Sequence, residues 1–298
     1  IDEGAVLKFR AQVIDVGSSS QLISRAGAAL QVLGTPGNKV QFTSFHDDSI
    51  GGNSDGQGTA VDGGQWGGII FRQDSDSATR RVFLNSVSQA NIRYGGGQVT
   101  IESRLQAISP LHLETSRPTI AFNDVRNSAS AAISADPNSF EESPGRAGPS
   151  IRGNIVRDNS VNGLQVRIRT EFGQPIDRLT VPARFASPDI TYVIPENLFI
   201  AGGVGGYDAT SGEIRARSSG RLTVDPGVVV KLQQSRIELE RGNAQLYAEG
   251  TPQKRVIFTS TRDNRFGAGG TFVVGATATN PAAGNWGGII VNDGAAAA

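Results

Sequence analysis

The phrase GQWGGII at 64–70 returns as GNWGGII at 284–290, and Trp66 and Trp286 are the two tryptophans of the chain. Internal repetition constrains a fold more tightly than composition does, because each copy must bury its apolar face against a neighbour of the same kind. The phrase does not recur alone. LQVLGTPGNKVQFTSFHDD at 30–48 returns as LYAEGTPQKRVIFTSTRDN at 246–264, and DEGAVLKF at 2–9 returns as DPGVVVKL at 225–232. The matched blocks stand at unequal separations, so small insertions and deletions lie between them, where loops belong.

Residues 1–71 and 224–291 therefore read as two copies of one module in a single continuous unit over 1–298, with 72–223 as intervening rungs. A finer repeat lies in that middle. PTIAFNDVRNSASAAIS at 118–134 aligns with PSIRGNIVRDNSVNGLQ at 149–165, placing Ile120 over Ile151, Asn123 over Asn154, Val125 over Val156, Arg126 over Arg157 and Ile133 over Leu164. Between and around these blocks, runs such as VVVKL, RIELE, QLYAE, VIFTS, NIRYG, LHLET and LQVRI alternate with period two and are punctuated by Gly, Pro, Asn and Asp. That is strand periodicity, and no stretch of a dozen residues carries the 3.6-residue period of a helix. Three features favour a parallel β-helix among all-β folds. The strands lack two-residue hairpin signals, the finer repeat has the length of one coil, and Asn recurs at matched turns, where it tolerates left-handed backbone and can stack its amide. Val6, Leu30, Phe42, Ile69, Ile120, Ile151, Leu164, Val229, Ile237, Leu246 and Phe258 are expected to face the core, subject to one-residue slips in phase.

The module DPGVVVKL, GTP, VIFTS and GxWGGI, followed by NIRYGGG-type rungs, resembles the secreted right-handed parallel β-helix repeats of very large bacterial cell-surface proteins. The resemblance covers nearly the whole chain. It implies a pectate-lyase-like fold, here an all-β right-handed parallel β-helix (solenoid) with long loop excursions, and an extracellular or cell-surface location. It implies no defined activity, since that fold carries lyases, hydrolases, adhesins and inert stalks.

In each copy a polar loop (44–65 and 260–285) leaves after the Thr-Ser step, and Gly-Trp-Gly-Gly-Ile brings the chain back. Trp66 and Trp286 are expected to anchor the loop bases, with Gly67, Gly68, Gly287 and Gly288 letting the backbone pass closely. The competing role is stacking on sugar rings. The first loop holds the candidate metal ligands Asp47, Asp48, Asn53, Asp55, Gln57 and Asp62. Oxygen donors at alternate positions on a Gly-rich loop suit calcium, whose shell takes six to eight oxygens, and the bland alternative is a solvated turn cluster. The second loop keeps only Asp263 as a carboxylate.

Catalytic motifs are incomplete. His46 beside Asp47 and Asp48, His112 in LHLET, and Arg117 before Pro118 each fall short of the acidic-pair, Gly-His-Gly or Arg-x-Pro-x-x-Arg patterns of polysaccharide-degrading relatives. Glu141 and Glu142 read as a solvated loop tip, and 201–213 as a long loop without a phosphate-binding fingerprint. The 28 basic and 28 acidic residues balance. Arg10, Arg72, Arg80, Arg93, Arg126 and Arg157 are dispersed along the chain, so no polyanion-binding stripe is legible and nucleic acid is not an expected partner. With no cysteine there is no thiol chemistry, and no apolar run approaches the roughly 20 residues that span a bilayer. The leading expectation is a non-enzymatic structural or adhesive segment whose chain continues in both directions as further copies, stacked end to end. The alternative is a polysaccharide lyase, hydrolase or carbohydrate-binding β-helix with surface polysaccharide as its partner.

Overall fold

Short runs with apolar side chains at every second position form strands of two to six residues throughout the chain. The computed structural model describes residues 1–18, 24–77, 80–101, 104–143, 145–168, 176–203, 206–208, 213–215, 220–267, 281–292 and 296–297. Among these the protein is all-β, with no α-helix, and its sheets are mostly parallel.

The longest sheet has eight strands in the order Ile14–Val16, Ile69–Phe71, Leu111–Leu113, Ala131–Ala135, Val161–Val166, Tyr192–Ile194, Val229–Leu232 and Ile257–Ser260. Every neighbouring pair in it is parallel, and Ile14, Ile69, Leu111, Ile133, Leu164, Tyr192, Val230 and Phe258 share one register. A five-stranded parallel sheet joins Val6–Phe9, Val40–Ser44, Ala90–Arg93, Asp124–Arg126 and Ile155–Arg157, aligning Leu7, Phe42, Ile92, Val125 and Val156. A four-stranded sheet joins Gln31–Leu33, Ser86–Ser88, Thr119–Ala121 and Ser150–Arg152 on Val32, Val87, Ile120 and Ile151. From residue 31 to 166 the chain visits the four-, five- and eight-stranded sheets in that order four times.

From residue 182 onward two further parallel sheets alternate with the long one. They join Pro182–Phe185, Arg221–Val224, Gln245–Tyr247 and Ala296–Ala297, and Leu198–Ile200, Ile237–Leu239 and Ile289–Val291. The aligned aliphatic and aromatic columns of these sheets merge into one core. Each fully buried Leu, Ile or Phe contributes roughly 1.5–3 kcal/mol.

The finer repeat is visible as hydrogen bonds. The Asn123 amide nitrogen donates to the Val87 carbonyl at 2.9 Å, and its oxygen accepts from the Ala90 amide at 2.9 Å. One repeat later the Asn154 amide nitrogen donates to Ile120 O at 2.9 Å while its oxygen accepts from Asn123. Asn127 and Asp158, at matched turns, both have φ of 57°. The side-chain amides thus satisfy backbone groups that a tight corner leaves unpaired.

Phe42, Ile69, Ile120, Ile151, Leu164, Ile237 and Leu246 are buried as expected, while Leu30 and Phe258 are half-buried. Val6 is 44% exposed, and Val229 faces outward too. In AVLKF and VVVKL three consecutive apolar residues leave the phase undecided, and in the fold Leu7, Phe9, Val228 and Val230 take the core face. A slip of one residue moves every side chain to the other side of a sheet. Among the described residues three antiparallel strand pairs decorate the parallel sheets: Gln98–Ile101 with Arg104–Ala107, Glu142–Ser143 with Arg146–Ala147, and Gly206–Asp208 with Glu213–Arg215. The last replaces part of the long loop expected at 201–213.

The two copies of the module do not occupy equivalent sheets. Val6–Phe9 begins the five-stranded sheet, whereas its counterpart Val229–Leu232 lies in the eight-stranded one. Ile69–Phe71 lies in the eight-stranded sheet, whereas Ile289–Val291 ends the three-stranded one.

Candidate functional site

The loop after Val40–Ser44 is built from turn residues, and its polar side chains are used mainly to close those turns. Asn53 Oδ1 accepts from the amides of Asp55 and Gly56, at 3.1 and 2.6 Å, and Asn53 Nδ2 donates to Gln57 O at 3.0 Å. Asp55 Oδ1 accepts from the Gln57 amide at 2.8 Å, and Asp55 Oδ2 meets His46 Nδ1 at 2.5 Å. The His46 hydrogen bond pulls the Asp55 carboxyl down to about 2.

Asp47 turns back toward the sheet. It accepts from the Thr43 hydroxyl and from the amide and hydroxyl of Ser49. Burial alone would raise its carboxyl, but the bonds from Ser49 and Thr43 outweigh burial and hold it below the usual range. Asp48 and Asp62 are exposed, with Asp62 Oδ1 accepting from the Gly63 amide at 2.7 Å. The structure thus brings Asn53, Asp55 and Gln57 together as one interlocked turn, places Asp47 in a second network, and leaves Asp48 and Asp62 apart. Among the described residues no three His, Asp or Glu side chains converge on a point where a metal ion could sit.

Trp66 is fully buried, its ring stacked 4.7 Å from Phe9 and its Nε1 donating to Arg93 O at 2.7 Å. That excludes stacking on a sugar ring and makes it an internal anchor at the base of the loop. The glycines beside it are required by close approach: a Cβ on Gly68 would lie 2.4 Å from Ser109 O, and one on Gly67 2.8 Å from a Val99 methyl. In the second copy Gly288 instead has φ of 89°, which disfavours any side chain.

The outward row of the eight-stranded sheet carries a second polar network. His112 Nδ1 lies 2.8 Å from Ser134 Oγ, and Nε2 lies 3.7 Å from Glu114 Oε1. The order Ser, His, Glu suggests acyl transfer, but Glu114 is the ion partner of buried Arg72, which also holds Asp15 at 2.8 Å, and Ser134 is closed to solvent. Burial pushes the neighbouring Asp136 carboxyl up, against hydrogen bonds from Thr115 and Ser139. This row ties strands together. Further along it, Lys231 is fully buried with no hydrogen-bond partner for Nζ. Burial lowers the Lys231 ammonium despite the opposing charge of Asp263.

The Glu pair expected at a solvated loop tip is instead engaged. Glu142 joins Arg184 at 3.1 Å and Arg221 at 2.7 Å, and Glu141 lies 3.4 Å from Arg117. A cavity of about 720 Å³ opens between Glu196, Asn197, Phe199, Gln233 and Gln234, with Glu196 accepting from the Ile168 amide at 3.0 Å. Three of the six dispersed arginines come together in space: Arg93, Arg126 and Arg157 occupy one register position on three successive strands of the five-stranded sheet. The alignment of Arg126 over Arg157 carried that signal; what the sequence lacked was the pairing of Ala90–Arg93 with the same ladder.

No family model matches the chain, and comparison with curated proteins and with solved structures returns no match. No helix among the described residues is long and apolar enough to cross a membrane.

Proposed function

We propose that the chain is part of a right-handed parallel β-helix serving as a structural or adhesive rod of a large exported surface protein, with further copies of its module stacked end to end. One observation carries this reading most: eight parallel strands in one ladder, with a single register shift at Ala131–Ile133, reached in a repeating order from the flanking sheets. Such a ladder is stiff along its axis and lengthens by adding rungs. The strand Ile69–Phe71 is covered by Leu111–Leu113, whereas its counterpart Ile289–Val291 exposes all three apolar side chains. Because the second copy sits one sheet further round than the first, successive modules would present their loops in different directions around the rod.

Two experiments test it. Antibody against the chain should label intact, unpermeabilised cells of the source organism, and label confined to the interior would overturn the surface location. A tandem fusion of two chains should appear in electron micrographs as one rod of doubled length, and two separate globules would overturn the stacking.

Calcium in the 46–62 loop is a separate proposal, and as arranged the loop does not fit it. Calcium would require Asn53 Nδ2 to leave the Gln57 carbonyl and Asp55 to turn from His46. Calorimetric titration with calcium decides the matter: saturable heat that Asp55→Asn abolishes supports the site, and its absence removes it.

A further inference from the structure

In the five-stranded sheet Leu7, Phe42, Ile92, Val125 and Val156 face the core, so the next position on each strand lies on the opposite face: Lys8, Thr43, itself buried against Asp47, then Arg93, Arg126 and Arg157 in one register. Arg93, Arg126 and Arg157 are each followed by a residue with positive φ, Tyr94 at 59°, Asn127 at 57° and Asp158 at 57°. The same tight corner therefore sets all three side chains, and adjacent guanidinium groups rise from strands about 4.8 Å apart.

Cations aligned directly across neighbouring strands repel, and two carboxylates offset the three arginines only in part. Asp124 lies 3.2 Å from Arg157 and 4.0 Å from Arg126, while Asp47 acts on Arg93 only through space. The Nε atoms of Arg93 and Arg126 have no hydrogen-bond partner, and Lys8 is spent on the Gly52 carbonyl of the loop. The second half of the molecule handles the same problem differently. There Arg184 and Arg221 are matched by two carboxylates, with Glu142 bridging both and Asp225 2.8 Å from Arg184. One arginine group is neutralised; the other carries excess positive charge in a straight row.

We infer that the Arg93, Arg126 and Arg157 row binds a linear sulfated polysaccharide, laid across the strands. A sulfate ester presents three outward oxygens and can meet guanidinium groups on adjacent strands, whereas the one carboxylate paired with the row, Asp124, reaches only Arg126 and Arg157. A polymer whose anionic groups recur at about the strand spacing meets several rungs together, and that multivalency separates it from a free ion. The row depends only on sheet register, so it stands whether or not the chain belongs to a surface rod.

The test is calorimetric binding of dextran sulfate to the unmodified chain, with neutral dextran, inorganic sulfate and a single-stranded oligodeoxynucleotide as comparison ligands. Dextran sulfate should bind at low salt, neutral dextran should not, and inorganic sulfate should bind far more weakly per sulfate group. Arg126→Gln with Arg157→Gln should weaken dextran sulfate binding at least tenfold and reduce the slope of log affinity against log salt by about two. Arg184→Gln should leave binding unchanged, and Asp124→Asn should strengthen it by removing the opposing charge, an effect no purely structural role produces. If the double variant loses its circular dichroism spectrum, the half-exposed Arg157→Gln alone should give a slope reduced by about one. The inference fails if dextran sulfate does not bind, if the folded arginine variants bind as well as the parent, or if inorganic sulfate matches the polymer group for group. Equal or tighter binding of the oligodeoxynucleotide would move the row to a different ligand class and overturn the assignment.

Discussion

The two copies of the tryptophan phrase share nearly the same seven residues and live in different surroundings. Trp66 is fully buried against Phe9 and Phe42, and Ile69, Ile70 and Phe71 are at most 1% exposed. Trp286 is half-buried, and Ile289, Ile290 and Val291 are 37–48% exposed. Local sequence forms the same short strand in both places, although Gly288 takes a positive φ that Gly68 does not. What differs is the layer laid on top: Leu111–Leu113 pairs with the first strand, and the hairpin residues Val99 and Ile101 pack on Ile70. The lesson is that the module encodes a rung, while its stability is shared with the neighbouring rung.

The comparison is broken most directly at the tryptophans. Trp66→Ala should cost about 3–5 kcal/mol, the usual range for truncating a large buried aromatic, and Trp286→Ala clearly less, as urea unfolding will show. Equal costs would mean that the second copy is as fully packed as the first. Next come the glycines. Gly68→Ala must displace the Ser109 carbonyl and should cost on the order of 1–3 kcal/mol, whereas Gly288→Ala suffers only its positive φ, about 1 kcal/mol. A Gly68→Ala protein with unchanged urea midpoint would show that the close approach relaxes freely.

The lysines sharpen the comparison further, because Lys8 and Lys231 are equivalent in the repeat but only Lys231 is buried without a partner. Replacing Lys231 by Met should be neutral or stabilising by about 1 kcal/mol. Since burial lowers the folded-state ammonium below its unfolded value, the folded state binds fewer protons between the two. Parent stability should therefore rise with pH up to the unfolded value near 10.4, and Lys231→Met should lack that rise. A variant with the parental pH slope would remove burial of the charge as the cause.

The smallest effect belongs to the loops. Asp55 titrates at about 2 when folded, below its unfolded value of about 4, so its bond to His46 is fully present above pH 4 and is lost as pH falls through about 2. Hydrogen exchange should show 53–57 loosening over that window in the parent and already loosened at neutral pH in Asp55→Asn. Asp263, its carboxyl held well down by Arg265, should protect its own turn to a still lower pH.

Much of this is legible in the sequence. Repeat matching found the rungs, period-two alternation found the strands, and the overlay of Asn123 on Asn154 anticipated the amide ladder, because all three depend on residues close in sequence or on copies compared directly. Leu7 and Val230, rather than Val6 and Val229, facing inward was not legible, since AVLKF and VVVKL carry no polar residue to mark the phase before the lysine. Nor were the pairs of Glu142 with Arg184 and Arg221, which are made by segments some 40 and 80 residues apart.

By itself, then, the sequence determined that this chain is all-β, repetitive, and built of short strands with Asn and Gly at their corners. Those properties follow from side-chain period and backbone tolerance, which act over a few residues. Only the tertiary structure decided which sheet each copy of the module joins, which tryptophan is sealed, and that three arginines far apart in the chain stand in one row. Register between distant strands is set by the summed packing of every rung and the lengths of the loops between them, quantities that no local pattern records.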